Sequence, residues 1–244
     1  MNMRVLVSLS CLVLYACGGA LPEPPEVIRT VELALETEIF HSSDPLRLPS
    51  PADIREGIAD CDTLLSILTP YPEDQLSETD RRAFQILESR LVERKNYLLD
   101  FRRDPARYNL GGIAARYLLA RDLSEAEKVR YLQECLQYAP LFFDLAKRNL
   151  SAPLPEQTAL GIRKQEKTLM FFYGELADSL EAFRLDASKA KELSRELMGA
   201  ELAVKDYLAY CNSLMFEHRD TLPVANEKAK IKSKEAAGRE KTDR

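Results

Sequence analysis

Tryptophan is absent from the 244 residues, histidine occurs twice and glycine nine times. A catalytic zinc site wants three protein ligands, and neither of the two histidines, His41 and His218, stands in the HExxH pattern that supplies two of them from one helix. Both read as solvent-facing residues rather than ligands. The chain has no G-x-S-x-G elbow to activate a serine and no CxxC or Cys/His cluster to hold a metal. Gly111-Gly112 lacks the preceding strand and the lysine of a phosphate loop, which leaves close helix packing or a kink as its role. No stretch alternates at period two between turn signals, and nothing after Tyr15 is long and apolar enough to cross a bilayer.

What remains is a helix-forming composition. Hydrophobic residues make up 45% and charged residues 30%, with abundant Leu, Ala, Glu, Lys and Arg. The net charge of -5 argues against a nucleic-acid partner, which would require a basic face. The fold class is all-α: an antiparallel helical bundle or irregular helical array of about seven helices.

The N-terminus carries the most specific signal. Arg4 precedes an apolar run from Val5 to Tyr15, too short for a transmembrane helix, which ends in Leu14-Tyr15-Ala16-Cys17-Gly18-Gly19. Small or apolar residues ahead of a cysteine resemble the bacterial lipobox. That resemblance implies cleavage before Cys17, acylation of its thiol, and palmitate-type chains that hold the protein on a membrane. Gly18 stands where many inner-membrane lipoproteins carry aspartate, which points to the outer membrane, facing the periplasm. The expected organisation is a signal peptide over 1–16, a lipidated tether over 17–25, a helical domain over 26–218 and a charged tail over 219–244. In that tail Lys228, Lys230, Lys232 and Lys234 alternate with Ala229, Ile231 and Ser233.

Along the domain, Ile28, Val31, Leu35 and Ile39 give a first amphipathic stripe ending near Phe40. Ser50-Pro51-Ala52-Asp53 opens a helix with Ile54, Ile58, Cys61, Leu65 and Leu68 on one side. Ser77-Glu78-Thr79-Asp80 opens a longer one, striped by Phe84, Leu87, Leu91 and Leu98. Asp104-Pro105 predicts a helix through Leu119, and Ser124 to Glu127 a capping box for one that Pro140 bends or breaks. Two long helices follow, with Leu169, Phe172, Leu176, Leu180 and Phe183 on the first. Leu193, Leu197, Ala200, Val204, Leu208, Cys211 and Met215 stripe the second. Cys61, Cys135 and Cys211 fall on apolar faces and read as buried hydrophobes, although an oxidising envelope permits one disulfide among them. Phe171-Phe172-Tyr173, with Tyr131, Tyr138, Phe142 and Phe143, reads first as core and second as the wall of an apolar pocket.

Two short segments carry a wider resemblance: Phe101-Arg102-Arg103-Asp104-Pro105-Ala106-Arg107-Tyr108 after a long charged helix, and Arg148-Asn149-Leu150-Ser151-Ala152-Pro153 after the next helical pair. Over roughly Pro51 to Phe216 the chain resembles the N-terminal helical half of the bacterial domain-of-unknown-function 885 family, often envelope lipoproteins whose C-terminal half is zincin-like. The HExxPGHH motif of that half is missing, so the resemblance transfers no catalytic or metal residue. Arg103, Asp104 and Tyr108 read as a cap with flanking charges and a packed tyrosine. The expected role is that of a lipid-anchored, non-enzymatic binding or structural module with no cofactor. Its partners are the membrane, through Cys17, and an envelope protein. The alternatives are a truncated or split zincin-like peptidase and a carrier of an apolar ligand.

Overall fold

The structure, a computed structural model, describes residues 21–37 and 44–221. His41 and Cys17 lie outside them, as do Ile39, Phe40 and the lysine-rich tail. The His218 side chain is likewise outside the described set.

Among the described residues the fold is all-α and strand-free. The helices are α1 (Pro24–Thr37), α2 (Pro51–Leu68), α3 (Glu78–Arg103), α4 (Leu110–Leu119), α5 (Glu125–Asn149), α6 (Pro155–Phe171) and α7 (Ala187–Thr221). A π turn (Phe172–Leu176) and a short segment (Ala177–Ala182) prolong α6 without a break. The start signals act as their chemistry dictates. Ser50 and Ser124 form complete capping boxes with Asp53 and Glu127, and Ser77 accepts the Asp80 N–H. α1 begins two residues before the expected boundary, because Pro24 and Pro25 occupy its first turn, where a missing N–H costs nothing.

Packing order follows from short connections. Gly57 meets Leu98 and Asp62 pairs with Lys95, so α2 and α3 run antiparallel. Gln137 bonds Glu196 and Lys147 pairs with Asp206, so α5 and α7 run parallel and in direct contact, and α6 packs against α7. Two separate hydrophobic clusters result. The smaller joins Val27 and Val31 of α1 to Leu64 and Leu68 of α2 and to Phe84, Leu87 and Leu91 of α3. The larger takes Ile54 from α2, Leu98 and Phe101 from α3, and the inward faces of α4 to α7.

Four expectations are corrected. The α1 stripe is turned by one position, with Val27, Val31 and Ala34 fully inward and Ile28 and Leu35 at the margin. Pro140 does not break α5: losing one helical hydrogen bond costs about 3 kcal/mol, whereas burying Phe142 and Phe143 on the same helix recovers roughly 1.5–3 kcal/mol each. On α7, Tyr207 and Leu214 take the inward positions read for Leu208 and Met215. The span after Asp104 is not one helix. Asp104 caps a 3-10 turn, Pro105–Arg107, and Asn109 caps α4 separately through the Gly112 N–H at 3.1 Å.

Candidate functional site

The break at Pro105–Tyr108 has a physical cause in α6. A continuous helix would need the Ala106 and Tyr108 carbonyls for its own ladder. Instead Lys164 Nζ donates to the Ala106 carbonyl at 2.9 Å and Gln165 Nε2 to that of Tyr108 at 2.8 Å. The Tyr207 hydroxyl donates to the Pro105 carbonyl at 3.1 Å. Gly161 lets the turn approach: a Cβ there would sit 3.0 Å from Pro105 Cβ and 3.1 Å from its carbonyl carbon. The inward face of α6 is therefore small and polar along its first half, with Thr158, Gly161, Gln165 and Thr168 buried.

This turn also joins the two segments singled out in the sequence. The Ser151 and Ala152 N–H groups donate to the Arg102 carbonyl at 3.2 and 3.1 Å, and the Leu154 N–H to that of Arg103 at 2.9 Å. Arg102 Nε donates to the Ser151 hydroxyl at 2.8 Å. Asn149, buried at the end of α5, donates to the Pro49 carbonyl at 3.0 Å and so ties down the loop before α2. Tyr108 turns inward, its ring 6.2 Å from those of Phe101, Phe142 and Tyr207, and its hydroxyl donates to the Phe101 carbonyl at 2.6 Å. Burial pushes the Tyr108 and Tyr207 phenols well above their ordinary values, so neither serves as a proton donor or base near neutrality. The carboxyl of Asp104 is also raised, by desolvation first, against the lowering effect of the Ala106 N–H.

Outside the turn lies a groove of about 510 Å³ between the loop at Asp44–Pro49, the end of α3, the start of α4 and Lys164. Its floor is apolar, with Leu48, Leu98, Phe101, Ile113 and Phe142 among the lining residues, and Arg47, Arg107, Arg116 and Lys164 supply cations. The Arg107 guanidinium lies 4.1 Å from the ring centres of both Tyr97 and Phe101, which fixes its position. Among the described residues, neither serine, cysteine nor histidine lines this groove.

The remaining sequence candidates lie apart from it. Phe172 and Phe143 are core residues, with Phe143 stacked on Tyr207 at 4.8 Å, whereas Tyr173 is exposed. Phe142 reaches both core and groove. Among the described residues no three His, Cys, Asp or Glu side chains are grouped to hold a metal ion, and no helix is long and apolar enough to cross a membrane.

Cys61, Cys135 and Cys211 are all buried. Desolvation lifts Cys135 to about 12. It also lifts Cys211 to about 11, partly offset by the Tyr207 hydrogen bond and the Lys147 charge. Against an ordinary 9.0, the thiolate fractions of both at pH 8 fall by two to three powers of ten. Alkylation by iodoacetamide, followed on the peptides that contain these residues, is expected to slow by that factor relative to urea-unfolded protein. Because the folded values lie above the unfolded ones, the stabilising contribution is complete below pH 9.0 and is lost as pH rises toward 11 and 12. Native and unfolded rates within a factor of three would contradict this burial.

No family model matches the chain, and no curated protein matches it. Its fold is similar to that of a solved structure described as "a putative lipoprotein of unknown function from Shewanella oneidensis", with TM-score 0.56 and 14% identity. The alignment covers 82% of this chain and 39% of that one, so this chain spans about two fifths of the length of the solved protein, with which it shares an all-α architecture.

Proposed function

We propose that the chain is a lipid-anchored helical module of the bacterial envelope that works by binding rather than by catalysis. The carrying observation is the lipobox-like Leu14-Tyr15-Ala16-Cys17 after a short apolar run. The described structure supports it by placing a fixed point close behind. The Tyr71 hydroxyl donates to the Pro22 carbonyl at 2.9 Å, so an anchored backbone position lies five residue steps beyond Cys17. At 3.3–3.6 Å per residue their reach is about 17 Å, which keeps the α2–α3 connection beside the surface to which Cys17 is bound. The lipoprotein description of the structurally similar protein supports the same address, and Gly18 favours the outer membrane. A groove lined by cations and apolar side chains suits a binding role.

Labelled palmitate tests the anchor. Wild-type chain is expected to incorporate it and to sediment with membranes, and Cys17→Ala is expected to abolish incorporation and release the protein. Incorporation that survives Cys17→Ala overturns the reading.

A second reading, a split member of a zincin-like family whose catalytic half is encoded separately, rests on the resemblance of Phe101–Tyr108 and Arg148–Pro153 to the helical half of that family, two segments that meet through the Arg102 and Arg103 carbonyls. An HExxPGHH-bearing frame adjacent to this gene decides for it.

A further inference from the structure

The groove beside the Pro105–Arg107 turn has a charge pattern that selects its occupant. Four cations line it, Arg47, Arg107, Arg116 and Lys164, against one acid, Asp44. Asp44 offsets one of them: it lies 3.6 Å from Arg47 and accepts the Leu46 N–H at 3.0 Å. Two more acids stand behind the cations. Asp100 is 3.8 Å from Arg107 and its side chain is 54% exposed, so water screens that pair. Asp104, in the field of Lys164, accepts the Ala106 N–H at 2.8 Å. Over these seven groups one positive charge is left, and it is held over an apolar floor. A second groove of about 360 Å³, near Tyr71, contains Arg81 and Glu88, which offset each other, and so has no such bias.

Position adds to charge. The side chain of Arg107 is 24% exposed and is held by the two rings it covers, so little conformational freedom is lost when it meets an anion. Lys164 Nζ is fixed by the Ala106 carbonyl and has further protons to donate. At the first turn of α4 the Gly112 N–H is already taken by the Asn109 side chain. The volume lies in the range of small-ligand sites, and the apolar floor rewards more than a bare ion.

We infer that this groove binds an amphiphile with one anionic head group, paired with Arg107, Arg116 and Lys164, and an apolar body lying over Leu48, Leu98 and Ile113. The inference concerns the groove alone and holds whether or not Cys17 is acylated.

Calorimetric titration of the full-length chain carrying Cys17→Ala tests it, with twelve-carbon probes below their micelle concentrations. Dodecanoate is expected to bind saturably and about tenfold more tightly than dodecanol, as one charge-assisted hydrogen bond supplies. Dodecyl phosphate distinguishes a phosphate head from a carboxylate one, and a tenfold preference for either supports the proposal. In the double variant Arg116→Gln, Lys164→Met the preference is expected to vanish while dodecanol still binds, which shows the groove intact. The proposal is overturned if wild type binds neither anion, if dodecyltrimethylammonium binds as tightly as dodecanoate, or if the double variant keeps the tenfold preference.

Discussion

Replacing Tyr108 by alanine is expected to destabilise the protein by about 3–5 kcal/mol, the cost of deleting a fully buried aromatic ring. Its side chain is completely enclosed, and three rings, those of Phe101, Phe142 and Tyr207, surround it at 6.2 Å. They come from α3, α5 and α7, so no single helix can move to refill the void. Removing the hydroxyl alone, as Tyr108→Phe, keeps the ring but leaves the Phe101 carbonyl without its 2.6 Å donor. That change is expected to cost about 1–3 kcal/mol. Urea unfolding followed by circular dichroism measures both. An alanine variant within 1 kcal/mol of wild type would show that Tyr108 is not the centre of this core.

Gly111→Ala is expected to destabilise the protein although alanine is the better helix former. Propensity alone favours alanine by roughly 0.5–1 kcal/mol. A Cβ at Gly111, however, would lie 2.4 Å from Thr168 Oγ1, 2.7 Å from its Cγ2 and 2.8 Å from its Cβ. Thr168 cannot rotate away freely, because its hydroxyl donates to the Lys164 carbonyl at 2.9 Å and the residue is buried. Overpacking of this kind typically costs about 1–3 kcal/mol, so sterics outweigh propensity. The Thr168→Gly background removes all three clashing atoms, and there Gly111→Ala is expected to become neutral or favourable. Additive single and double variants would contradict the close approach.

Local signals in the sequence translated well. The caps at Ser50, Ser77 and Ser124 and the α3 stripe of Phe84, Leu87, Leu91 and Leu98 depend on residues within one or two turns, so spacing alone reveals them. Thr158, Gly161, Gln165 and Thr168 were invisible for the opposite reason. Periodicity counts apolar residues, whereas these positions are buried without being apolar: Gly161 and Gln165 meet the Pro105–Tyr108 turn and Thr168 meets Gly111, partners nearly sixty residues earlier. Tyr207 stayed hidden beside Leu208 because a tyrosine scores as the less apolar of the two neighbours. The groove combines a loop, two helix ends and one side chain of α6, and no stretch of sequence carries its pattern. The segments Phe101–Tyr108 and Arg148–Pro153 were legible as motifs, and they meet through backbone hydrogen bonds that only tertiary structure supplies.

The division of the interior into two clusters has a mechanical consequence. The Pro22–Tyr71 contact ties the N-terminal segment to the smaller cluster, whereas the groove belongs to the larger. α2 and α3 contribute buried residues to both. α3 alone is about 39 Å long at 1.5 Å per residue. Tension entering through the N-terminal segment is therefore divided between two antiparallel struts before it reaches Leu98 and Phe101. The groove therefore shares no hydrophobic cluster with α1, whose buried residues all lie in the smaller one.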